Sequence, residues 1–130
     1  MAATIERLKR RSEFLRVAGA RRKWVTPGLV LQAAESPAAR DAEGGFRVGF
    51  TASRKVGNAV ARNRARRKLR AAVQEVMPGR ARAGFDYVVI ARQATVTRRF
   101  SDLTGDLEQA LARSAAGPRA AGAKASEARS

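Results

Sequence analysis

Arg54-Lys55-Val56-Gly57-Asn58-Ala59-Val60-Ala61-Arg62-Asn63-Arg64-Ala65-Arg66-Arg67-Lys68-Leu69-Arg70 decides how this chain is read. Gly57 marks a turn, and the residues after it follow a helical pattern. Ala65, Leu69, Ala72, Val73 and Val76 recur at i, i+4, i+7, i+8 and i+11, one face of an α-helix. The pattern predicts a helix opening near Asn58 and running to about Met77, where Pro78-Gly79 ends it. At ~100° per residue, Asn63, Arg64, Arg67 and Arg70 fall away from the apolar stripe, with Arg66 at its boundary. Arg62 projects close to the stripe, one turn beyond its end. It either reaches past the core or is buried and paired. Arg62, Arg64, Arg66, Arg67, Lys68 and Arg70 crowd six cations into nine residues, with Lys55 across the turn and no acid before Glu75. Like charges at i,i+4 repel, so the crowding does nothing for the fold. A polyanionic partner explains it.

The flanks supply a sheet. Phe46, Val48 and Phe50 alternate with Arg47, Gly49 and Thr51, which predicts a strand over Phe46 to Ser53 with one face on a core. Leu29 to Ala33 reads as an earlier strand, and the polar stretch from Ser36 to Gly45 as a hairpin loop joining the two. Phe85 to Ala91 is a third strand. Its unbroken apolar run at 87–90 suggests burial on both faces, as in a central strand. Ser12 is the expected cap of a first helix carrying Glu13 in its first turn and ending at Gly19. Residues 1–11 are expected to be a frayed terminus, and Arg21 to Lys23 a loop. Ser101 is the expected cap of a last helix with Leu103, Leu107, Ala110 and Leu111 on its apolar face and Arg113 in its last turn. The order α-β-β-α-β-α implies a two-layer α+β sandwich, a small mixed sheet with helices against it. Residues 1–113 form the single expected domain. Residues 114–130, without a large apolar side chain, are an expected disordered tail.

Composition narrows the chemistry. The chain has 130 residues and a formal net charge of +16, from 27 basic and 11 acidic side chains. A solubilising surface needs a magnitude of only about 2–8. Nucleic acid is therefore the first partner to consider, and an anionic membrane the second. There is no cysteine and no histidine, which removes thiol and imidazole catalysis and the usual zinc sites. No apolar run reaches the ~20 residues of a membrane span. The basic N-terminus lacks a signal-peptide core, so a cytoplasmic protein is expected. The acids are scattered. Asp102 and Asp106 share a helix face, read as dipole complement and solubility. The glycines at 44, 45, 49 and 57 do not form a phosphate loop. No protein-borne catalytic or metal-ligating residues are expected.

Binding groups are plentiful. Arginine's planar fork suits bidentate phosphate contacts and stacking on bases. Asn63, between two arginines, has the donor and acceptor to read an RNA edge or a 2′-OH. Phe14 is a core residue by default, with base stacking its second use.

Val48-Gly49-Phe50-x-x-Ser53-Arg54-Lys55-Val56-Gly57-Asn58-Ala59-Val60-x-Arg62-Asn63-Arg64-x-Arg66-Arg67 resembles the signature of the bacterial ribonuclease P protein subunit. Arg7-Leu8 with Ser12-Glu13-Phe14, Asp86 to Arg92, and Phe100-Ser101-x-Leu103 with Leu107 extend the resemblance over about residues 7–113. It implies the small partner of a large catalytic RNA, one protein per RNA. The holoenzyme removes the 5′ leader of precursor tRNA by endonucleolytic hydrolysis, with catalytic Mg²⁺ held mainly by the RNA. It also implies a left-handed crossover between the second and third strands, against the usual hand. Carried over by position, Arg54, Lys55, Asn58, Arg62, Asn63, Arg64, Arg66, Arg67 and Arg70 are RNA-binding residues. Phe14, Val30, Gln32 and Thr51 line a leader cleft. Three positions depart from the pattern. Ala18 stands where many members have a second aromatic, and Gln32 where some have a tyrosine. Lys68 replaces what is often an apolar residue. A ribosomal protein or RNA chaperone is the competing class, and the signature decides against it. A membrane binder fails because Leu69, Val73 and Val76 are needed by the core.

Overall fold

All six expected elements form in the expected order, and two short strands join them at the sheet edges. The computed structural model describes residues 5–36, 45–82 and 84–115. The elements are β1 (Ile5–Arg7), α1 (Arg11–Gly19), β2 (Lys23–Val25), β3 (Leu29–Glu35), β4 (Phe46–Thr51), α2 (Ala59–Val76), β5 (Phe85–Ala91) and α3 (Phe100–Ala115). One mixed sheet has the order β1-β4-β5-β3-β2. β5 runs parallel to β4 and antiparallel to β3, so the crossover through α2 delivers it to the centre. The apolar run is thus buried on both faces over 87–89, with Ile90 half-buried.

Three expectations need correction. Residues 5–7 are not frayed: β1 pairs in parallel with β4, Arg7 opposite Val48. Lys23 is not in a loop: β2 pairs with β3, and Trp24 is buried opposite Leu31. The β2–β3 turn is clasped by Thr26, whose N–H and hydroxyl both donate to the Leu29 carbonyl at 2.9 and 2.8 Å. β3 and β4 do not form a hairpin, because β5 lies between them. Residues 37–44 of the expected loop lie outside the described residues, as does the expected tail from 116 on. Ser114 and Ala115 continue α3.

Strand alternation makes two faces. Leu29, Leu31, Phe46, Val48, Tyr87 and Val89 face α2 and α3 and form the main core. Phe46 and Tyr87 meet edge to face, 6.1 Å between centroids. The apolar stripe of α2 is buried there, as the periodicity predicts. The opposite face carries a smaller cluster, Leu8, Val17, Ala34 and Val88, with Phe14 and Ile90 half-buried against it. Among the described residues, α1 is the helix that packs on it.

Alongside α2, Lys68 is level with residues 96–98 and Arg80 with Glu108 of α3. The two helices therefore run side by side in one direction, and the first two turns of α2 reach beyond the start of α3. That overhang lets the stripe end at Ala65 while the cations continue toward Asn58.

Candidate nucleic-acid interface

The turn before α2 is built by local caps. Ser53 Oγ accepts from the Lys55 N–H at 3.3 Å and opens a single 3-10 turn, Arg54–Val56. Gly57 follows at φ 145°, in the region only glycine enters at little cost. Asn58 then caps α2, its Oδ1 accepting from the Ala61 N–H at 2.9 Å. Arg54, Lys55 and Asn58 are left exposed at the mouth of the helix. Arg62 turns back to donate to the Gly57 carbonyl at 2.9 Å. It is therefore half-buried and hydrogen-bonded, without a carboxylate. Asn63 Oδ1 accepts from Arg66 Nη1 at 3.0 Å, so Asn63 orients a guanidinium rather than standing apart from it. Arg64 and Arg67 are exposed and Arg70 is half-buried. Among the described residues, no ion pair involves any of these cations.

Lys68 is not part of this surface. Its ammonium donates to the Val96 carbonyl at 3.0 Å and to the Arg98 carbonyl, tying α2 to the approach of α3. Burial lowers its pKa, with the Arg64 charge adding to the effect. Lys68→Ala should cost about 1–2 kcal/mol of stability through two orphaned carbonyls, and leave the salt dependence of RNA binding unchanged. Thermal melts and binding titrations separate the two effects.

The second candidate surface is the α1 side of the sheet. Register places Val30, Ile90 and Thr51 in one row across β3, β5 and β4, and Gln32, Val88 and Gly49 in the next. Val30, Gln32, Ile90 and Thr51 are half-buried. The first row spans two strand spacings, roughly 10 Å. Phe14 comes down on the second row: a Cβ on Gly49 would lie 2.5 Å from its Cζ. A glycine is required there for the ring to rest on the strand. At the carboxyl ends of β4 and β5 the row opens into a depression of about 330 Å³ lined by Ser53, Lys55, Val56, Ile90, Ala91, Arg92 and Gln93. Lys55, assigned to one surface, and Ile90, in the other, thus share a wall. Ile90, Gly49 and Arg92 fall within the family-like stretches of the sequence, but nothing there gives them a place in a site. Only strand register reveals the first two.

A buried ionic cluster fastens α1 over this face. Asp86, fully buried on β5, accepts two hydrogen bonds from Arg47, at 2.8 and 2.7 Å, and one from Arg16 of α1. Arg47 also donates to Glu13 Oε2 at 2.8 Å. These bonds, Asp86 foremost, raise the Arg47 pKa above its ordinary value. Arg10, not Ser12, is the N-cap of α1, and Glu13 in the first turn reaches back to it: its Oε1 accepts from the Lys9 and Arg10 N–H groups at 3.1 and 3.2 Å. The Arg10 N–H does most to lower the Glu13 pKa, with Lys9 and Arg47 helping against the cost of burial. A carboxylate whose folded pKa is depressed stabilises the fold above its unfolded value and loses that contribution as pH falls through the folded one. Glu13→Ala should therefore melt lower at pH 7 by the worth of a lost cap, about 1 kcal/mol. Near pH 3 the gap should narrow, which melts at the two pH values will show.

The other buried acid, Asp106, is not a solubilising charge. It is paired with Arg98 at 2.8 and 3.0 Å, and that contact raises the Arg98 pKa. Ser101 does not cap α3 either, because the helix begins at Phe100. Among the described residues no three acidic side chains gather to hold a metal ion. Asp86 and Asp106 are both taken up by arginines, so these residues do not fit a Mg²⁺ site.

The family model for ribonuclease P matches residues 3–115. The chain belongs to the ribonuclease P protein family. It is 57% identical over 113 residues to the ribonuclease P protein component of Paramagnetospirillum magneticum, covering 87% of this chain and 85% of that one. It is 50% identical over 111 residues to that of Gluconacetobacter diazotrophicus, covering 85% and 92%. The ribonuclease P protein of Thermotoga maritima shares the fold with a TM-score of 0.68 at 26% identity, over 83% of this chain and 96% of that one. The Staphylococcus aureus protein does so with a TM-score of 0.65 at 25% identity, over 82% and 93%. Family membership makes this the protein part of a ribonucleoprotein that processes the 5′ end of tRNA, with an RNA as its partner. No helix among the described residues is long and apolar enough to cross a membrane.

Proposed function

We propose that the protein binds the catalytic RNA of ribonuclease P through the overhanging end of α2. In this reading it also cradles the 5′ leader of precursor tRNA along Val30, Ile90 and Thr51, beside Phe14. The leader is removed by endonucleolytic hydrolysis. The RNA is the catalyst and holds most of the Mg²⁺, one protein serves each RNA, and the work is done in the cytoplasm. The observation that carries the reading is the charge left unanswered on α2: Arg64, Arg66 and Arg67 meet no carboxylate among the described residues. Phosphates are the counterions such a surface takes.

The depression at Lys55 and Ile90 lies between the two surfaces, so a leader in the groove would run alongside the catalytic RNA on the helix. Phe14 is the aromatic platform of the groove, for Ala18 is small and exposed and Gln32 is an amide. One base stack is worth about 1–3 kcal/mol, so grip on the leader comes largely from charge. The test is leader cleavage by ribonuclease P RNA at low Mg²⁺. Adding the protein should restore cleavage that the RNA alone performs poorly. A rate indifferent to the protein would leave a general RNA-binding role in its place.

A further inference from the structure

Apolar packing is only part of what sets the position of α1 beside the groove. α1 has nine residues and buries only Val17 fully. Beside the half-buried Phe14 ring, its remaining hold on the sheet is polar, and it reaches three strands. Glu13 is joined to Arg47 on β4. Arg16 donates through Nη2 to Asp86 on β5 and through Nη1, at 2.7 Å, to the Glu35 carbonyl on β3. Phe14 lies between these two anchors in the chain.

We propose that Arg16 is a positioning residue for the leader groove: anchored on Asp86 and Glu35, it fixes α1 so that Phe14 stands beside the Val30–Ile90–Thr51 row. This rests on the leader-binding reading above. Apolar contact is non-directional and would let a two-turn helix slide. Hydrogen bonds from one planar guanidinium to two strands do not. The tolerance is small, since the Phe14 ring occupies the space a Cβ on Gly49 would need. A buried ionic cluster is also a poor way to gain stability alone, because apolar side chains of similar volume often do as well. What the cluster adds is a fixed position. Arg16 is the member to test. Its side chain is 38% exposed, and its removal leaves the Asp86–Arg47–Glu13 links in place.

The experiment uses the holoenzyme reconstituted with ribonuclease P RNA and two precursor tRNAs, one with a leader of several nucleotides and one with a single-nucleotide leader. Arg16→Ala should raise KM for the long leader about 5- to 10-fold, the lower part of what a lost base stack spans. It should leave kcat, and KM for the short leader, within about two-fold. Phe14→Ala should behave alike, and the double variant should be no worse than Phe14→Ala, because the two act as one unit. Arg16→Gln, which keeps a donor but not the ion pair, gives the same readout if the alanine variant folds poorly. Unchanged KM for the long leader, equal losses on both substrates, or additive losses in the double variant would overturn the proposal. Phe14→Ala without effect on either substrate would instead overturn the leader-binding reading itself.

Discussion

Raising monovalent salt from 50 to 200 mM should weaken RNA binding about 100- to 500-fold. The figure follows from counterion release. Each phosphate neutralised contributes about 0.7–0.9 to the slope of log K against log salt, depending on strand type. The overhanging end of α2 and the turn before it offer Arg54, Lys55, Arg64, Arg66 and Arg67 without carboxylate partners among the described residues. About five phosphates give a slope between −3.5 and −4.5. Surface ion pairs inside the protein would also respond to salt, but each is worth only about 0–1 kcal/mol. They change stability a little and affinity hardly at all. A flat titration would mean that these cations do not touch phosphate.

The largest effect on stability should come from Asp86→Ala. The carboxylate is wholly buried and is the common acceptor for Arg16 and Arg47. Removing one partner of a buried ionic cluster leaves an uncompensated charge and costs about 3–5 kcal/mol. For a domain of this size that is a fall in Tm of roughly 12–25 °C. Glu13 still faces Arg47, which limits the loss. Thermal unfolding measures it directly. A fall of only a degree or two would show that water, rather than Asp86, satisfies the two guanidinium groups.

The parts of this fold that show in the sequence are those with a period. α2 is legible because five apolar residues repeat at helical spacing over three turns, and β5 because its apolar run is unbroken. β1 and β2 are three residues each, too few for alternation to register, and they form because β4 and β3 offer open edges. The β3–β4 hairpin was the local reading. Nothing between Ser36 and Gly45 announces that a strand forty residues later will separate the two. At the interface, charge is legible and direction is not. Lys68 reads like its arginine neighbours but lies on the flank of the helix that meets the approach to α3. Asp106 looks like a surface acid until Arg98, beyond the start of its helix, folds back on it. A charged Asp86 beside an unbroken apolar strand was the one available sign of the buried cluster. The Val30–Ile90–Thr51 row required the strand order, which no local pattern supplies.

The most direct test is the salt slope of RNA binding for the Arg64→Ala/Arg67→Ala double variant beside the unaltered protein. Both side chains lie away from the buried stripe of α2 and are exposed. The slope should become shallower by about 1.4–1.8, two phosphates' worth, at an unchanged melting temperature. An unchanged slope, or a loss of affinity that merely follows a loss of folding, would contradict the claim that α2 meets its partner through phosphate.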